Sequence, residues 1–124
     1  MKCVLIIDNE PYIQEVAKIC LETITNWEVI TASSGKEGII RAIAEQPDAI
    51  LLDVMMPEMD GLTTFAQLHN NAATQSIPVI LLTAKIQDSD QRHYAQLGIK
   101  ATIGKPFEPL ELAHQIAAAL NWNL

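Results

Sequence analysis

What most limits the folds open to this chain is a series of short apolar runs, each cut off by polar residues and followed by a stretch with helical spacing. The runs are "CVLII" (3–7), "WEVITA" (27–32), "AILL" (49–52), "PVILLTA" (78–84) and "KATIG" (100–104). Brief continuous runs rich in Val, Ile and Leu, bounded by turn residues, read as strands buried on both faces. Pro78 is acceptable as the first residue of its run, where no ladder hydrogen bond is required of it.

Helical patterns fill the intervals. Beyond Pro11, the residues Ile13, Val16, Ala17, Cys20 and Ile24 share one helical face. In "SGKE", Ser34 stands three residues before Glu37, a capping box that heads a helix carrying Ile39, Ile40 and Ile43 and ending before Pro47. Further helices are predicted over 62–69 and 88–97, the second closed by Gly98 in a left-handed conformation. A last one, starting near Pro109, carries Leu110, Ala113, Ile116, Ala117 and Leu120. Strand alternating with helix throughout specifies an α/β fold, a doubly wound five-stranded parallel sheet with helices on both faces. The 124 residues fit one domain, 1–124, large enough to hold a core without disulfides or a structural metal.

Composition excludes several roles. The longest apolar run falls far short of the ~20 residues of a membrane span, and the amino terminus lacks a cleavage site, so a cytoplasmic chain with no membrane association is expected. The net charge is −7 and the eight basic residues are scattered, which argues against nucleic-acid binding. Cys3 and Cys20 match no CxxC or zinc spacing and read as small core residues. His69, His93 and His114 lie in separate helices without ligand spacing.

In sheets of this kind the ligand crevice lies beyond the carboxyl ends of the strands. That edge collects Asp8 and Asn9 after the first run, Asp53 after the third, Thr83 at the end of the fourth and Lys105 after the fifth. Two carboxylates ~4 Å apart repel by about 4 kcal/mol at an effective dielectric of 20, so Asp8 and Asp53 call for a compensating cation. Oxygen donors favour Mg²⁺, which pairs naturally with phosphate oxygens. Asp53 can then serve as a nucleophile toward phosphorus, while Lys105 and the Thr83 hydroxyl meet the remaining oxygens.

The motifs "DNEP", "LLDVMMPEMDG", "LLTA" and "KPF" follow one another in an order and spacing that resembles the receiver domain of two-component response regulators, over the whole chain. The resemblance implies a flavodoxin-like (βα)5 fold with strand order 2-1-3-4-5. It implies Asp53 as phosphoacceptor, Asp8 and Asn9 as the acidic pair, the Met55 backbone carbonyl as a further Mg²⁺ ligand, and Thr83 and Lys105 as phosphate-sensing residues. Glu10, Ala84 and Pro106 are supporting positions, and the Lys105–Pro106 bond is expected to be cis, turning the lysine inward. The implied partners are a sensor histidine kinase and a downstream effector or histidine phosphotransfer protein, with the chain a monomer or a phosphorylation-dependent dimer. The role is that of a signalling switch acting by protein contact, and not of an enzyme beyond its own phosphoryl transfer and dephosphorylation. With too few residues left after the last helix for a DNA-binding or enzymatic domain, an output domain is not expected.

Three departures from the family pattern stand out. Asn9 is neutral where an acid usually contacts the metal, so weaker Mg²⁺ binding is expected, with Glu10 compensating in part through water. Thr102 stands where many receivers carry Tyr or Phe, implying a muted or different switch. Met55 and Lys85, two residues beyond Asp53 and Thr83, offer no acid or amide to orient a hydrolytic water from position 55. A phosphoryl lifetime longer than that of the fastest receivers is therefore expected. Two other readings compete: a pseudo-receiver acting as a phosphorylation-independent binding module, and a haloacid-dehalogenase-type phosphohydrolase, which would want Asp where Met55 stands. Met56 and Met59 read as loop and core filling, and Trp122 as a cap on the sheet edge or a partner contact.

Overall fold

The structure, a computed structural model, describes residues 1–84 and 88–123. Its strands are β1 (Cys3–Ile7), β2 (Glu28–Ala32), β3 (Ala49–Asp53), β4 (Val79–Thr83) and β5 (Ala101–Gly104). They alternate with helices α1 (Pro11–Ile24), α2 (Gly35–Glu45), α3 (Gly61–His69), α4 (Asp88–Leu97) and α5 (Leu112–Leu120). All pairings are parallel and the order is β2-β1-β3-β4-β5, as the resemblance implies.

Successive side chains of a strand point to opposite faces, so the central strands feed two cores. Val4, Ile6, Leu51, Ile80 and Leu82 pack with Ala17 and Leu21 of α1 and with Leu112, Ala113 and Ile116 of α5. Leu5, Ile7, Ile50, Leu52 and Leu81 pack on the other face with Ala42 of α2 and with Phe65 and Leu68 of α3. Burial on both sides is why these strands read as unbroken apolar runs.

The capping box at α2 forms in a shifted version: Ser34 Oγ accepts from Glu37 N–H at 3.1 Å, while Glu37 Oε2 accepts from Ser33 N–H at 3.1 Å. Of the three isoleucines of this helix only Ile39 packs against the core, and it is only partly buried. Gly35, Gly38 and Ala42 make its buried face, and Ile40 and Ile43 face outward. A Cβ on Gly38 would lie 2.4 Å from Ile7 Cδ1, so the helix approaches the sheet through small residues and leaves Ile40 and Ile43 outside. Gly98 ends α4 at φ +103°, with Ile99 N–H donating to the Tyr94 carbonyl at 3.1 Å.

The last helix starts later than its pattern implies. The chain turns first, with Glu111 N–H donating to the Glu108 carbonyl, and α5 begins at Leu112, leaving Leu110 exposed before it. At the amino end of the sheet Trp122 stands edge-on to Trp27, ring centroids 5.2 Å apart, with Lys2 Nζ 4.9 Å from the Trp122 ring. Trp122 is therefore a cap packed on the core. Cys3 and Cys20 are half-buried free thiols; burial, followed by Glu28, Asp48 and Glu45, pushes the Cys3 thiol up, away from thiolate chemistry. No helix among the described residues is long and apolar enough to cross a membrane.

Candidate functional site

In the observed strand order the winding reverses between β1 and β3, so the crevice of a doubly wound sheet opens at their carboxyl ends. Asp8 follows β1 directly. Its backbone N–H donates to the Ala32 carbonyl at 3.0 Å, and the Gln14 side-chain amide donates to its own carbonyl. Gln14 is thus a positioning residue that the sequence pattern did not single out, being a polar side chain on a helix read for its apolar face. Asp53 is the last residue of β3, held in register opposite Leu82, and the Val54 N–H donates to the Leu82 carbonyl at 3.1 Å. Lys105 extends β5 by one bond, its N–H donating to the Thr83 carbonyl at 2.8 Å, and the Lys105–Pro106 peptide is cis as expected.

These backbone ties bring the side chains together. Lys105 Nζ donates to Asp8 Oδ2 at 2.8 Å and lies 3.1 Å from Asp53 Oδ1 and 3.7 Å from Glu10 Oε1. Asp8 Oδ1 accepts from Glu10 N–H at 2.8 Å, and Asp53 Oδ1 from Met55 N–H at 3.3 Å. Asp8 and Asp53 are buried, whereas the Glu10 side chain is 60% exposed. Burial pushes the Asp53 carboxyl above the usual carboxylate range; Asp8 adds to this, and hydrogen bonds from Lys105 and Met55 act against it. For Lys105, burial works to lower the ammonium pKa, but hydrogen bonds to Asp8 and Asp53 outweigh it and the net shift is upward.

One oxygen each from Asp8, Glu10 and Asp53 lie within 4.8 Å of one another. A cluster of oxygen donors alone suits a hard divalent cation such as Mg²⁺. Asn9 is half-buried between Asp8 and Glu10 and brings no charge to the cluster. The Met55 side chain is 76% exposed beside the site. Thr83 is buried at the end of β4, Ala84 is exposed just after it, and Pro106 is exposed behind Lys105. Lys85 lies outside the described residues. Thr102 lines a cavity of about 310 Å³ with Tyr94, Ile99 and Lys100. Met56 is buried and Met59 half-buried, in keeping with core filling.

The β3–α3 loop closes on the site through Gly61. A Cβ there would lie 2.3 Å from the Asp53 carbonyl oxygen and 2.8 Å from Val54 Cα. Both are backbone atoms that cannot swing aside, so Gly61→Ala is expected to cost about 1–3 kcal/mol, read as a lower urea midpoint. Asp60 caps α3 through its Oδ1, which accepts from Thr63 N–H at 2.8 Å, and this bond holds its carboxyl below the usual range.

The family model described as the response regulator receiver domain matches residues 4–117. Among curated proteins, the chain is 36% identical over 119 residues to the alkaline phosphatase synthesis transcriptional regulatory protein PhoP of Bacillus subtilis, covering 96% of this chain and 48% of that protein. It is also 36% identical over 120 residues to the DNA-binding dual master transcriptional regulator RpaA of Synechocystis, covering 97% of this chain and 49% of that protein. The chain therefore spans about half the length of these relatives. Among solved structures, the chemotaxis protein CheY4 of Vibrio cholerae superposes with a TM-score of 0.88 at 25% identity, covering 96% of this chain and 98% of that one. The N-terminal domain of a receiver protein from Methanoculleus marisnigri gives 0.80 at 34% identity, covering 99% of each chain.

Proposed function

The chain belongs to the response regulator receiver domain family of two-component systems, and from that membership we propose that it takes a phosphoryl group from a sensor histidine kinase onto Asp53. The observation that carries this reading is Lys105, whose ammonium lies within 3.1 Å of oxygens of both Asp8 and Asp53 at the carboxyl edge of the sheet.

An Asp53 carboxylate oxygen attacks phosphorus in line. The new O–P bond forms as the P–N bond to the donor imidazole breaks, and the imidazole leaves with the electron pair and takes up a proton. Lys105, already hydrogen-bonded to Asp53, transfers its N–H donors to the phosphoryl oxygens, and the Thr83 hydroxyl meets another. A bound Mg²⁺, held by Asp8, Asp53, Glu10 and, on the family pattern, Asn9 and the Met55 carbonyl, would neutralise charge on those oxygens. Tyr12 in the first turn of α1, and Met55 and Leu110 on the connections that follow Asp53 and Lys105, are each at least 67% exposed. Exposed apolar side chains close in sequence to the acidic residues support docking of a protein donor. Signal output through an effector or a histidine phosphotransfer protein belongs to the same reading.

The assembled acid–lysine cluster speaks against a phosphorylation-independent module, and Met55 in place of a second aspartate speaks against a phosphohydrolase. Treatment with a small acyl phosphate and Mg²⁺ tests the proposal. An acid-stable, base-labile adduct on the peptide containing Asp53 is expected; no adduct with acyl phosphate or any kinase donor, or one on another residue, overturns it.

A further inference from the structure

Glu10 occupies the position before α1, where Ser, Thr, Asp or Asn usually accepts a hydrogen bond from the first helical turn. Its side chain makes no such bond, and Pro11 follows at the head of the helix. The carboxylate turns instead toward the crevice, 3.7 Å from Lys105 Nζ, and joins Asp8 and Asp53 in one cluster. The helix start thus forgoes a side-chain cap, while the crevice gains a third negative charge, one that Asn9 does not supply. In this arrangement the Lys105 ammonium already sits as a cation among three carboxylates.

Resting on the phosphoacceptor reading, we propose that Glu10 rather than Asn9 sets the affinity of the site for its divalent cation, as a solvent-facing third carboxylate shared between Lys105 and the ion. Asp8 and Asp53 are buried and fixed by backbone donors, so they present the same charge to either cation. Glu10 is the exposed member of the cluster and can follow whichever cation is present. Its charge therefore tunes the exchange between lysine and metal.

Titration of the full chain with Mn²⁺ alone, followed by the loss of the free-ion electron paramagnetic resonance signal, tests this. Glu10→Gln is expected to bind about three- to tenfold more weakly than the wild type, at the mouth dielectric of an exposed carboxylate. Glu10→Asp is expected to keep part of that affinity, and Glu15→Gln, an equal charge change further along α1, to keep all of it. Asn9→Ala is expected to lose less than Glu10→Gln. If Glu10→Gln binds like the wild type, or Asn9→Ala loses more, Glu10 has no such role, while labelling of Asp53 would still stand. If the wild-type chain binds no Mn²⁺ and also takes no phosphoryl label, both readings fall together.

Discussion

Asp53→Asn is expected to take up no phosphoryl label from acyl phosphate or kinase, while unfolding at the same or a higher urea concentration than the wild type at pH 8. An amide oxygen of the same shape is a far poorer nucleophile than a carboxylate, so the O–P bond does not form. Stability moves the other way. Burial and the neighbouring Asp8 hold the Asp53 carboxyl pKa above its unfolded value, so its ionisation favours unfolding. That cost is absent at low pH and is incurred as pH rises from about 4 through the raised value; the asparagine never incurs it. Loss of label together with a lowered urea midpoint would mean that Asp53 holds the fold and is no strained acceptor.

Lys105→Ala is expected to have the opposite signature. The ammonium is 14% exposed and touches two buried carboxylates. Its removal leaves them facing each other without a counter-charge, at a cost of about 3 kcal/mol. The Asp53 carboxyl, no longer held down by the lysine, then rises further above its unfolded pKa value, so the variant loses most stability at pH 8 and recovers as protonation relieves the pair toward pH 5. The wild type keeps the contribution of its own raised ammonium until pH exceeds about 10.5. Urea midpoints at pH 5 and 8 separate the two proteins, and millimolar Mg²⁺ is expected to restore part of the loss by replacing the missing charge. Equal midpoints at both pH values would show that water already screens the pair.

The three central strands were legible because burial on both faces leaves a short, unbroken apolar run, whereas the partly buried edge strands β2 and β5 were legible from their length and bounding turn residues. Asp8, Asp53, Thr83 and Lys105 were legible as strand-end residues, since topology alone sends them to one edge. The misplaced parts have local causes. In α2 the close approach to Ile7 demands glycine at position 38, and Ile40 and Ile43, which look like core, are left outside. At Pro109 the signal for a helix start fits a turn equally well, and a 3-residue delay costs the sequence nothing visible. Sequence alone makes Glu10 a water-mediated helper, because periodicity does not tell where an uncapped side chain turns. Only the distance to Lys105 does.

The two indoles of the chain, Trp27 and Trp122, face each other at the end of the sheet away from the acidic crevice. Their emission thus senses whether the amino edge is closed, which makes it a thermometer of unfolding that occupancy of the far edge scarcely touches. For this receiver, tryptophan fluorescence and phosphoryl chemistry are separate channels: the first reports whether the molecule is folded, and the second must be read by mass, by isotope or by a probe placed near Met55.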